Sequence, residues 1–182
     1  MKFNYHPNLE GAHAFLSPSK YSWVNYDDNK LDVVYANWRA SQQGTELHEL
    51  AVKLIKLGVK LPKVNKTLNM YVNDGIGFRM APEVCLFYSI NAFGTADTIS
   101  FKNKLLRIHD LKNGRTPASI KQLEVYAALF CLEYSFNPRD IDIELRLYQL
   151  DEMLVENPIA EDIFFIMERI VVFDKRINDL KE

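Results

Sequence analysis

The chain holds only two cysteines, Cys85 and Cys131, and they form no CxxC pair. That argues against a structural zinc site or an iron–sulfur cluster and for a reducing compartment, the cytoplasm. No apolar run approaches the ~20 residues of a membrane helix, so no membrane partner is expected. The opening Met1-Lys2-Phe3-Asn4-Tyr5-His6-Pro7 has no apolar core of the signal-peptide kind. There is no internal repeat, no low-complexity tract and no GxxxxGK[ST] phosphate loop, which excludes a solenoid, a linker array and a P-loop motor.

What is present is ordinary in bulk. The 182 residues are 48% hydrophobic and 25% charged, enough for one domain with a real core. Net charge is −2, so the molecule as a whole is no polycation. The charges are segregated, however. Ala51 to Lys66 carries five lysines and no acid, and Lys102 to Lys121 carries six basic residues and one acid, Asp110. From Arg139 onward twelve acids face six bases. Any one such stretch is an ordinary solvated face, but two basic stretches beside one site are what a polyanion-binding cleft requires.

Periodicity and punctuation divide the chain. Ser17 reads as a cap and Pro18 as the first position of a short helix start. A longer helix is expected from about Tyr35 to Leu57, stopped by Gly58. Residues 59–80 carry turn signals at Pro62, Asn73-Asp74-Gly75 and Gly77, with a strand over Leu68 to Val72. Glu83 to Ile90, Gly94 to Phe101 and Lys104 to Lys112 read as strands, the last two joined at Lys102-Asn103. Thr116-Pro117 would open a helix reaching Tyr134, and Asn137-Pro138 would break it. A strand over Ile141 to Leu150 and a closing helix over Ile159 to Leu180 complete the pattern. The order implies one α+β domain over 1–182, a central mixed sheet flanked by helices.

Two carboxylates stand out. On the period-two rule Thr95, Asp97, Ile99 and Phe101 share one strand face, and Leu106, Ile108, Asp110 and Lys112 share another. A buried carboxylate costs several kcal/mol unless a cation, a donor or water attends it. In a hairpin the two aspartates lie on neighbouring strands and point the same way, which suits a divalent metal of the Mg²⁺ or Mn²⁺ kind. Lys112, about 7 Å beyond Asp110 on the same face, could then stabilise a phosphate or hold water. Taken singly, Asp-X-Lys is also an exposed ion pair at a strand end.

Gly94-Thr95-Ala96-Asp97 followed by Ile108-His109-Asp110-Leu111-Lys112-Asn113-Gly114 resembles the core of the PD-(D/E)XK nuclease superfamily. Gln122-Leu123-Glu124-Val125-Tyr126 is similar to the QxxxY helix motif of its RecB-like and phage-exonuclease branch. Gly44-Thr45-Glu46-Leu47-His48 resembles the branch's helix with a metal-binding histidine. The resemblance spans residues 44–126. It implies a restriction-endonuclease-like core over about 38–150 and a Mg²⁺- or Mn²⁺-dependent deoxyribonuclease acting on linear single- or double-stranded DNA, most simply an exonuclease. It implies His48, Asp97, Asp110 and the Leu111 carbonyl as metal ligands, with Glu83 a further candidate, and Asp97, Asp110, Lys112, Gln122 and Tyr126 as catalytic. Arg115, Lys121, Ser17 and Ser19 are candidate phosphate contacts. A single-strand annealing or recombination protein is a candidate partner, and a homo-oligomer is compatible with the branch. Members with four cysteines hold an iron–sulfur cluster, which this chain is not expected to hold. An endonuclease on the same core and a catalytically silent DNA-binding module are the alternatives. The bland readings are a polar helix border for Gln122 and Tyr126, an ordinary surface or core histidine for His48, and an exposed strand-start residue for Glu83.

Overall fold

The computed structural model describes residues 15, 16 and 18–180. Two compact units divide the chain, 1–43 and 44–182. The first holds a 3-10 helix, Pro18–Asn25, and the start of helix α1 (Asp28–Leu57), whose residues from Gly44 on belong to the second. The helix begins well before Tyr35 because Asp27 caps it, its Oδ1 accepting the Lys30 amide at 2.8 Å. The rings of Phe15, Tyr35 and Trp38 pack together, with centroids 5.1–5.7 Å apart. Ser17 lies outside the described residues, as does the Ser19 side chain.

The second unit holds the sheet. Helix α2 (Thr67–Gly77) is followed by strands β1 (Ala81–Ser89), β2 (Ala92–Lys102) and β3 (Leu105–Leu111). Helix α3 (Lys121–Glu133), strands β4 (Asp142–Gln149) and β5 (Glu152–Glu156) and helix α4 (Ala160–Asp179) complete it. The strands lie in the order β1-β2-β3-β4-β5, and only the β3–β4 pair is parallel. The protein is therefore α+β, with one five-stranded mixed sheet flanked by helices. No helix among the described residues is long and apolar enough to cross a membrane.

Each sheet face has its own core. Leu106, Ile108, Leu145 and Leu147 pack under Leu123, Ala127 and Cys131 of α3 and Ile163 of α4. On the opposite face, Leu111 and Tyr148 pack with Ala51 and Ile55 of α1 and Tyr71 and Val72 of α2. Gly58 stops α1 as expected: at φ +66° it lets the Val59 amide reach the Leu54 carbonyl at 3.0 Å, a Schellman closure.

Three elements differ from the sequence reading. Leu68 to Val72 is helical, not a strand, and α2 continues through Asn73-Asp74-Gly75. Those three residues disfavour a helix by roughly 2 kcal/mol in sum. Tyr71 and Val72, 1% and 0% exposed, outweigh that, since each buried side chain contributes about 1.5–3 kcal/mol. Polar contacts add to them: Asn73 bonds both backbone groups of Leu61, at 2.9 and 3.0 Å, and Asp74 Oδ2 accepts from Arg146 and Tyr148. Gly75 packs so closely on Ile55 that a Cβ there would lie 2.8 Å from its Cδ1.

Strand β5, absent from the reading, follows a two-residue turn in which Leu150 and Asp151 both have positive φ. Asp151 is fixed by α2, accepting from the Thr67 amide at 3.0 Å and from Lys66 at 2.6 Å. One carboxylate thus caps a helix and holds a hairpin turn.

Helix α3 starts at Lys121, not at Thr116-Pro117. Gln149 holds the intervening backbone extended: its amide donates to the Gly114 and Thr116 carbonyls, and its oxygen accepts from Ala118. The β2–β3 turn sits one residue later than expected, at Asn103-Lys104, both at positive φ as a type I′ turn demands.

His109, fully buried, faces the α2 side. Tyr148 gives its one hydroxyl hydrogen to Asp74 at 2.7 Å, so His109 Nδ1, 3.3 Å from that hydroxyl, must be the donor there. Nε2 is then a bare acceptor, and no partner meets it. Burial, and then the Arg146 and Arg107 guanidiniums, push the His109 pKa down to about 3. An unfolded histidine near 6.5 binds a proton that the folded one refuses, so stability falls as pH drops from about 6.5 towards 3. His109→Gln removes this loss. Urea unfolding at pH 7 and pH 5 should show an acid loss roughly 2 kcal/mol smaller in the variant than in the wild type, at about 1.4 kcal/mol per pH unit. Equal acid losses would contradict the assignment.

Candidate functional site

The site lies where β3 ends. Leu106, Ile108 and Asp110 follow one another under α3, at 0%, 0% and 2% exposure, so the period-two rule carries the carboxylate into a buried position. The last β2–β3 pair is Thr98 with His109, and one further step of that register sets Asp97 across from Asp110. Asp97 Oδ2 accepts the Leu111 amide at 3.0 Å, and His48 Nδ1 of α1 stands 3.4 Å from the same oxygen. Leu111 thus enters the site by its N–H.

Lys112 places its ammonium on Asp110, donating to Oδ1 at 3.1 Å. Asp110 Oδ2 is also 3.0 Å from that nitrogen, so the ammonium lies against both oxygens, and Lys112 is their one cationic contact among the described residues. Burial, and next the negative charge of Asp97, raise the Asp110 pKa, against the pull of Lys112 and His48.

A chain of hydrogen bonds leads on from the lysine. Lys112 donates to Gln122 Oε1 at 3.1 Å, and Gln122 Nε2 donates to the Tyr126 hydroxyl at 3.3 Å. Tyr126 in turn donates to the Thr95 carbonyl at 2.7 Å. The longer connection before α3 still leaves Gln122 beside Lys112. The Tyr126 hydroxyl spends its only hydrogen inside the protein, so it positions Gln122 and β2 and cannot donate to a phosphate in this arrangement.

Two glycines make the fit. A Cβ on Gly94 would lie 3.1 Å from Tyr126 Cε1, and one on Gly44 would lie 3.0 Å from Asn113 Nδ2. The space one turn before His48 is taken by the Asn113 side chain. Thr95, Gly94 and Asn113 were not singled out as functional. The Gly94-Thr95 and Asn113-Gly114 pairs flanking the aspartates were the available signal.

The remaining candidates are placed differently. Glu83 stands at φ +56° on β1, where the register of its neighbours sets it across from Asp97, but it is exposed and pairs with Lys56 at 3.3 Å. Lys121 holds the buried Glu124 at 2.8 Å through both oxygens, and that hydrogen bonding raises the lysine pKa. Arg115 is exposed. In the lysine-rich stretch Lys56 and Lys66 engage carboxylates, while Lys53, Lys60 and Lys63 are exposed. Among the described residues no three His, Cys, Asp or Glu side chains are gathered closely enough to form a metal cage.

Compared with protein families, curated proteins and solved structures, the chain matches none.

The raised pKa of Asp110 has a consequence for stability. The folded state holds this proton more tightly than the unfolded state, so stability declines as pH rises through the folded value. Asp110→Asn abolishes that decline while keeping shape and one acceptor. Its thermal midpoint should exceed the wild type's at pH 8, by about 2–4 °C per kcal/mol recovered, and the gap should close towards pH 4. A variant less stable at pH 8 than at pH 4, relative to the wild type, would show that the Lys112 pair outweighs desolvation.

Proposed function

We propose that the chain is a metal-dependent nuclease that hydrolyses phosphodiester bonds in DNA, acting on strand ends. One observation carries the reading. A buried, desolvated carboxylate, Asp110, is held by the Lys112 ammonium and stands beside a second carboxylate, Asp97, which His48 approaches at 3.4 Å. Two carboxylates brought together in this way, one of them with a raised pKa, with a lysine and a histidine beside them, are a mark of functional sites.

The donor set suits a hard divalent cation, Mg²⁺ or Mn²⁺: the two aspartates would be its oxygen ligands, with His48 beside Asp97 in support. Such a cation supplies Lewis-acid polarisation and a water of lowered pKa. The protein's own contribution is positional. Asp110 and Gln122 hold the Lys112 ammonium from two sides, leaving its third hydrogen for a non-bridging phosphate oxygen as charge develops there. Tyr126 fixes Gln122, and the Thr95 carbonyl fixes Tyr126. Exposed Lys53, Lys60, Lys63 and Arg115 can bind backbone phosphates without reading sequence.

A second reading has its own support. No three-ligand cage is formed among the described residues, and Lys112, Gln122 and Tyr126 are all internally bonded. On that reading the chain of bonds is a clamp between α3 and the sheet in a module that binds without cutting.

Incubation with linear duplex, closed circular duplex and single-stranded DNA separates them. The proposal expects loss of linear DNA with Mg²⁺ or Mn²⁺, none with EDTA, and intact circles. Nicked circles would assign an endonuclease, and inertness of every substrate the binding module. Asp110→Asn and Lys112→Ala should each lower the rate on the order of 100-fold or more while folding is retained.

The clamp residues give a separate result. Gln122→Ala should lower kcat more than it raises KM, because it frees Lys112 without removing the charge. Tyr126→Phe should do the same to a smaller degree, and neither should lower the unfolding free energy by more than about 1–2 kcal/mol. Cleavage at the wild-type rate in both variants would confine these residues to structure.

A further inference from the structure

Helix α4 is apolar on two sides. Ile163 is fully buried, and Ile166, Met167 and Ile170 pack beside it against the α3 side of the core. Phe165, Val172, Phe173 and Leu180 point the other way and are 63%, 54%, 49% and 69% exposed. A surface helix normally turns a polar face outward, and one that is apolar on both sides is covered on both. At helical spacing these four residues flank the exposed row Asp162, Arg169 and Arg176, and together they span about 22 Å at 1.5 Å per residue.

The charges along the stripe say what covers it. The exposed acids Glu161, Asp162 and Glu168 occupy the first half of α4, and the exposed bases Arg169, Lys175 and Arg176 occupy the second. Asp174, which breaks this division, turns inward to Ser89 and Asn91. Among the described residues Asp179 is the one exposed acid near the end of α4.

We propose that the outward face of α4 binds a second copy of this chain, the two helices running antiparallel about a two-fold axis beside Arg169. Antiparallel pairing sets Phe165 against the partner copy's Phe173 and Asp162 against its Arg176, and each contact then occurs twice. A parallel pair would set Asp162 against Asp162 and Arg176 against Arg176, which is repulsive. Self-complementarity of this kind is what an isologous interface needs. The register brings Arg169 beside its own copy at the axis, a like-charge meeting that a parallel pair in register would have as well, and each guanidinium lies over a Phe173 ring at 4.0 Å. Exposed Arg and aromatic residues of this kind dominate interface energetics. The proposal stands apart from the nuclease reading, since none of these residues belongs to that site.

Sedimentation velocity on the full chain over a concentration series tests it. The expected species has twice the 21.1 kDa chain mass. Phe173→Glu, at an exposed position, should weaken dimerisation at least about 30-fold with an unchanged circular dichroism spectrum. Asp162→Arg and Arg176→Asp should each weaken it, and the two together in one chain should restore it, because both copies then carry the reversed pair. A chain monomeric at every concentration overturns the proposal and leaves the stripe to a different protein. A dimer indifferent to Phe173→Glu overturns it too. Failure of the double reversal to restore what the single reversals lost would rule out the antiparallel arrangement.

Discussion

A carboxylate taken out of water at the end of a central strand is the constraint around which this site is arranged. Asp110 is 2% exposed, and moving an ionised carboxylate into such surroundings costs several kcal/mol even after relaxation. The neighbouring strand adds a second negative charge, Asp97, instead of relieving the first. Lys112 meets the demand only in part: its ammonium touches both Asp110 oxygens, at 3.1 and 3.0 Å, yet burial and Asp97 still raise the carboxyl's pKa. A core position chosen for stability alone would hold leucine, as Leu106 and Ile108 on the same face do. The polar end of β3 is therefore a stability sacrifice that an active or binding site explains better than packing does.

The rest of the second unit keeps that arrangement in place. The lysine would be a long free rotor without Gln122, and Gln122 would be one without Tyr126. The Tyr126 hydroxyl returns the chain of bonds to the backbone of β2, two residues from Asp97. The connection from β3 to α3 is equally determined, because Gln149 ties it to the neighbouring strand at three backbone groups. On the other sheet face, Tyr148, Asp74, Arg146 and His109 form a second polar layer, and it is built for the neutral histidine. Asp110 and His109, adjacent in sequence, thus sit in opposite environments. One is pressed towards its neutral form by burial and a like charge, the other by burial and two guanidiniums.

What could be read from the sequence was what local chemistry decides. The strand alternation of β2 and β3, Gly58 after α1, Asn137-Pro138 after α3 and the length of α4 all follow from residues within a few positions of the feature. So does the juxtaposition of Asp97, Asp110 and Lys112, which needs only a hairpin and a period of two. The misread elements are those decided at long range. Asn73-Asp74-Gly75 has turn composition, yet Leu61, Arg146 and Tyr148 bond its side chains inside a helix. Asp151 and Thr67 are 84 positions apart, and neither announces that it caps the other's element. Thr116-Pro117 is a sound helix start locally, but Gln149 bonds the Thr116 carbonyl before a helix can.

The two glycines bring these levels together. Neither Gly44 nor Gly94 is explained by its backbone angles, since neither has the positive φ seen at Gly58. Both are explained by distance: Asn113 stands over one and Tyr126 over the other, 3.0 and 3.1 Å from where a Cβ would lie, so that a side chain would push each neighbour back. One glycine therefore lets the backbone just after Lys112 approach the helix that carries His48. The other lets α3 lay Tyr126 against the strand that carries Asp97. A glycine inside a helix disfavours it by about 1 kcal/mol relative to alanine, so Gly44 is kept against local preference. The two close approaches converge from opposite sides on Asp97, Asp110 and Lys112. A fold that needed only a stable sheet edge would have no reason for either.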